Sequence, residues 1–277
     1  MLQAHPTGLC ALRALQALLV LADEQNAPIL GEAGACCAVV RAMDAAPDDA
    51  CIQMLCLEVV GLLAFSGGNL IMLDRAGACR AIVKAMRTLP DSAEVQCSAV
   101  AVVAQLALGG CGRENLLLLG ARELVLAALT AHLRAPRDRV MAMIALACLA
   151  DGLDRETETL TQDAAAVLAA MREHPDDKAV QKQGVRTMAL LVHNGADCAE
   201  LCERRAPDVI AEAMLVSADD KEVNGQRLQP APAVDSAIVS VAIVHCMLPE
   251  TLPATEKVPA QRLMTAVQRI AFKESAH

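Results

Sequence analysis

The 12 Cys and 6 His of this chain are residues whose spacing could hold a metal or supply a nucleophile and a base. Cys198 and Cys202, in CAELC, stand four apart, which on a helix puts both thiols on one face, with His193 just upstream. Cys51 and Cys56, in CIQMLC, stand five apart. Thiolates and imidazoles bind zinc, but structural zinc sites are built from tight CxxC pairs with a second pair close by. Neither group has that spacing. The thiols read as small buried hydrophobes, with no metal and no cofactor.

Catalysis needs a nucleophile, a base and a group that orients the base. His5 and His174 precede Pro corners, His132 falls at an expected helix end, and His277 is terminal. His193 and His245 lie near the ends of long helical stretches, where positive charge suits the helix dipole. No Ser or Cys stands on a nucleophile turn. The glycine clusters SGGN (66–69) and GGCGRE (109–114) lack the Lys-Ser/Thr pair of a phosphate loop and follow no strand, so they read as turn glycines. With no such constellation, the expectation is that the chain is not an enzyme.

The elements that would position these residues announce themselves by repetition. AMDAAPDDACIQ (42–53), AMRTLPDSAEVQ (85–96) and AMREHPDDKAVQ (170–181) are three versions of one corner. Met43, Met86, Leu129, Met171 and Met214 follow one another at 43, 43, 42 and 43 residues. Gly34, Gly77, Gly120, Asp163 and Ala206 mark helix starts at a constant 43. Ala22, Ala64, Ala107, Ala150 and Val192 close the long helices at 42, 43, 43 and 42. A period held by three markers means repeated structural units.

Each unit parses alike: a short helical segment such as NLIMLDRA (69–76), a Gly break, a second helix such as ACRAIVKAM, and then a Pro corner at Pro47, Pro90 or Pro175. Asp48, Asp91 and Asp176 follow Pro and are expected to cap the next helix. That helix is long, with Gln96, Ala99, Val102, Val103, Leu106 and Ala107 at core spacing. A three-helix unit of this kind has two apolar sides, and stacking covers them.

Composition agrees. Hydrophobic residues make up 55% of the chain, yet it has no Trp, no Tyr and only Phe65 and Phe272 among aromatics, a small-residue core that favours close helices over sheets. Net charge is −9, and no basic run exceeds Arg204-Arg205, which argues against nucleic acid and against an anionic membrane surface. LCALRALQALLVLA (9–22) lacks the basic start of a signal peptide, and the apolar stretches are short of or broken within a membrane span. Reduced Cys inside helices fits a cytoplasmic or nuclear setting.

A period near 42 residues of helix, Gly, helix, Pro-Asp corner and long helix resembles the armadillo repeat. The likeness is carried by DRAGACRAIVKAMRTLPDSAEVQCSAVAVVAQLA (74–107) and QDAAAVLAAMREHPDDKAVQKQGVRTMALLV (162–192). It implies an all-α, right-handed armadillo/HEAT-like α-solenoid of about five to six repeats over residues 1–248. Its units would be a partial one at 1–24, then 25–66, 67–109, 110–152, 153–194 and 195–248. Residues 249–259 (PETLPATEKVP) read as a linker and AQRLMTAVQRIAF as a capping helix, so 249–277 stand apart.

The resemblance further implies a protein or peptide partner on the concave face of the third helices. Armadillo proteins that clamp extended peptides carry an Asn ladder there. The matching positions here are Val20, Leu62, Gln105, Cys148 and Leu190, and none is Asn. The import adaptors' Trp positions are occupied by Gln16, Glu58, Ala101, Ile144 and Arg186, and the basic lining of the catenin branch is missing. What is left is a mixed face of Glu58, Leu62, Gln105, Cys148, Arg186 and Leu190. The implied function is a non-catalytic interaction scaffold or adaptor. The alternative is a regulatory or autoinhibitory segment of a larger signalling enzyme. Uncapped array ends would also allow self-association.

Overall fold

The computed structural model describes residues 8–23, 25–110, 112–150 and 157–218. Among them are fourteen helices and no strand, the all-α class expected. The chain divides into two compact units, residues 1–149 and 150–277.

The first unit holds α1 (Gly8–Leu21), α2 (Ala27–Glu32), α3 (Ala35–Ala45), α4 (Ala50–Leu63), α5 (Gly67–Ala76), α6 (Ala78–Thr88), α7 (Ala93–Leu108), α8 (Arg113–Leu118), α9 (Ala121–Ala131) and, closing it, α10 (Pro136–Ala150). Like packs on like: α4 lies against both α1 and α7, α6 against both α3 and α9, and α2 against α5. The layers meet through residues at helical spacing. Leu15, Ile52, Leu57, Ile82, Met86 and Leu106 are fully buried. Gln96, Ala99, Val102, Val103, Leu106 and Ala107 are all interior, as their spacing predicts.

The breaks have local causes. Gly34, Gly77 and Gly120 take φ of +85°, +86° and +75°, a left-handed turn that costs a side-chain-bearing residue about 1–2 kcal/mol. The long helices start one residue later than expected. Asp49, not Asp48, accepts from the N–H groups of Cys51 and Ile52, and Ser92, not Asp91, accepts from Val95 N–H. The Pro-Asp pair lies in the turn itself, so the first extended residue after it becomes the cap.

The final Gln of each corner explains why the corner is written the same way. Gln53 Nε2 donates to the carbonyls of Met43 and Ala46, both at 2.8 Å, and Gln96 Nε2 to those of Met86 and Leu89 at 2.9 and 3.0 Å. One buried amide thus satisfies two open carbonyls at the end of one helix from inside the next, fixing the angle between them. Between successive layers, Asn69 Nδ2 bonds the carbonyls of Ala27 and Leu63 at 2.7 and 3.0 Å, and Arg87 Nη2 bonds the Leu119 carbonyl at 2.6 Å.

In the second unit the described helices are α11 (Thr157–Glu173), α12 (Lys178–His193), α13 (Cys198–Glu203) and α14 (Ala206–Ala218). α11 and α14 both pack on α12, and α13 lies against α11 and α14. Asp177 caps α12 through Val180 N–H, again one residue past the expected Asp176. Gln181 repeats the clamp on the Met171 and His174 carbonyls at 2.8 and 2.7 Å, and Arg172 repeats the Arg87 contact by bonding the Arg204 carbonyl. One expectation is corrected. Where a break was expected at Asp163, α11 runs on uninterrupted because no glycine stands there to turn it, and Asp163 is fully buried inside the helix. At Ala206 a helix does start, α14, and the left-handed turn before it is made by Arg205, whose φ is +58°. The expected linker and capping helix, and the insertion NGQRLQPAPAVD, lie outside the described residues.

The interior thiols carry a stability signature. Burial pushes Cys56 from the ordinary 9.0 up to about 12, and burial assisted by the neighbouring Asp74 carboxylate does the same for Cys79. The folded state holds these protons more tightly than the unfolded chain does, so their stabilisation is complete below pH 9 and is lost as pH rises towards about 12. Chemical denaturation at stepped alkaline pH should show that fall. Iodoacetamide at pH 8, a value about one unit under the ordinary thiol range, should modify exposed Cys10, Cys37 and Cys51 and spare Cys56 and Cys79 until denaturant is added.

Candidate partner-binding face

The long helices bury two sides and leave a third open. On α4, Ile52, Leu55, Val59 and Leu63 are interior, while Glu58 is exposed and Gly61 and Leu62 are half-buried. On α7, Ala101 and Gln105 lie half-buried at the matching positions. On α1, Gln16 and Val20 are exposed, Val20 at 85%. Just past the ends of these stripes stand Phe65 and Leu108, 67% and 63% exposed and 43 residues apart. The sequence reading missed both, although the same period that located Leu62 and Gln105 also links them.

One of the expected site residues, Gln105, reaches the neighbouring long helix. Gln105 turns its amide oxygen onto α4, where a Cβ built on Gly61 would stand 3.3 Å away. That oxygen is buried and accepts no hydrogen bond. Glu58 stands one helical turn before Leu62. Cys148 is half-buried on α10 in the same unit. Arg186 and Leu190 lie on α12 of the second unit, one turn apart, half-buried and 43% exposed.

Charge on this face is sparse. Glu58 and Glu94 are the only charged residues of α4 and α7. On α10, Asp138 accepts the Cys97 thiol, and burial first, then Asp138 and Glu94, raises that thiol to about 11. Arg13 on α1, Arg134 just before α10 and Arg137 in its first turn are exposed cations of the same unit.

Cys198 and Cys202 share α13, whose Asp197 caps its first turn and whose Glu200 pairs with Arg204 at 2.7 Å. An open hollow lined by Asp197, Glu200, Glu203 and Arg204 is therefore occupied by its own internal bonds. Cys51 is exposed and Cys56 buried, so five-residue spacing sends the two thiols to different environments. Among the described residues no three His, Cys, Asp or Glu side chains stand where they could hold a metal ion, and no helix is long and apolar enough to cross a membrane. No family model matches the chain, and no curated protein and no solved structure matches it.

Proposed function

We propose that the chain is a non-catalytic scaffold, an armadillo-type α-solenoid that holds a protein or peptide on the open face of its long helices. The observation that supports this most directly is that three successively packed long helices each keep an accessible apolar side chain at an open position, Val20 on α1, Leu62 on α4 and Leu108 on α7, with Phe65 just past the end of α4. Exposed apolar groups of that kind are what partners cover. The repeat gives the face its rigidity, since Gln53 and Gln96 lock each long helix to the one before the corner. Glu58 and Gln105 supply orientation, and Arg186 and Leu190 offer the same kinds of contact on α12.

Affinity capture from the native cell tests the reading. Leu62→Asp combined with Phe65→Asp replaces half-buried and exposed groups, so helicity should persist by circular dichroism while the captured partner falls at least about tenfold, the cost of placing a charge in a desolvated contact. Undiminished capture by a folded double variant would place the partner elsewhere.

A further inference from the structure

We infer that the partner of the α1–α4–α7 face is an amphipathic α-helix carrying an apolar stripe and a Lys or Arg that meets Glu58. The inference rests on the binding reading above and narrows it.

Main-chain chemistry decides between an extended and a helical partner. An extended segment brings an unpaired N–H and C=O at every residue, and burying them against a face without partners costs about 1–3 kcal/mol each. The three successive ladder positions on this face are Val20, Leu62 and Gln105, which offer one amide between them. The oxygen of that amide is already turned inward beside Gly61. A helix arrives with its backbone bonds made inside itself and needs only apolar cover.

The spacing suits such a ligand. Packed helices lie about 8–10 Å apart, and seven residues of helix advance about 10 Å. Side chains at i and i+7 of a helix laid across the face would therefore reach Leu62 on α4 and Leu108 on α7, while seven more residues in the opposite direction extend the contact towards Val20 on α1. These three residues carry no charge and stand partly or largely open.

Charge selects the polar rim. The carboxylates of Glu58 and Glu94 are the ionic groups of α4 and α7, and Asp138 adds a third beside Cys97. Against them stand Arg137 on α10 and, at the α1 edge of the face, exposed Arg13 seven residues before Val20. At α4, where Glu58 is the ionic group, a basic residue next to the ligand's apolar stripe complements the carboxylate, and an acidic one would face like charge.

Two displayed peptide libraries, panned on the full chain, test the inference: one randomised on the outer face of a helical scaffold, the other linear and random. The helical library should yield binders with apolar residues at i, i+3 or i+4, and i+7, flanked by Lys or Arg. Leu62→Asp should weaken them at least about tenfold, and exchanging the binder's basic residue for Glu should cost about tenfold, regained on Glu58→Lys protein. Binders from the linear library alone, lost with Leu62→Asp, would overturn the helical partner while leaving the face as the binding site. Binders indifferent to both Leu62→Asp and Glu58→Lys, or no binders from either library, would overturn the face as well.

Discussion

Gly31→Ala should destabilise the protein by about 2–5 kcal/mol, although Ala is the better helix former by about 1 kcal/mol. A Cβ on Gly31 would stand 1.7 Å from Asn69 Oδ1 and 2.6 Å from its Cγ, closer than atoms can sit. Either α2 moves off α5 or Asn69 swings away and releases the carbonyls of Ala27 and Leu63. Both routes open the junction between successive layers at a point that is buried on all sides. In a chain of this size each kcal/mol lowers the melting temperature by about 2–4 °C. Thermal unfolding should therefore register a clear drop. The double variant Gly31→Ala/Asn69→Ala separates clash from lost hydrogen bonds, since it should be no less stable than Asn69→Ala alone.

Replacing Gln96 by Leu should cost about 2–4 kcal/mol, whereas the same replacement at Gln105 should cost almost nothing. Leu fills nearly the same volume, so the comparison isolates polar bonding. Gln96 donates twice, to the Met86 and Leu89 carbonyls, and removing it leaves acceptors at the end of α6 without a partner in the interior. Gln105 has a buried oxygen with no donor facing it, so nothing is lost when that oxygen goes. Urea denaturation of the two variants side by side gives the contrast directly. Similar losses in both would mean that the corner glutamines act by filling space.

Much of this architecture was legible in the sequence because its punctuation is chemical. Gly34, Gly77 and Gly120 adopt the left-handed turns that their residue type predicts, and the Pro corners end helices where they stand. The caps were displaced by one residue because a Pro-Asp pair can serve either as turn or as cap, and only the backbone angles at Asp49, Ser92 and Asp177 decide. Periodicity alone could not reveal that α11 is continuous, since an absent glycine and a tolerated substitution look alike in one chain. The role of Gln53, Gln96 and Gln181 was written at the end of every corner, but it depends on the chain returning to carbonyls ten and seven residues back. On the open face, Leu62 and Gln105 came from register. The seating of Gln105 over Gly61 did not, because it joins helices from different repeats.

Removing one whole period, residues 67–109, tests the stacked-repeat account most directly. The excision takes out α5, α6 and α7 and joins the end of α4 to the start of α8, a junction equivalent to the one it replaces. If successive units cover one another, the shortened chain should keep its helicity per residue and unfold cooperatively at somewhat lower temperature, because each unit contacts mainly its neighbours. A shortened chain that loses cooperative unfolding, or most of its helical signal, would mean that the helices depend on one indivisible core, and the account would be wrong.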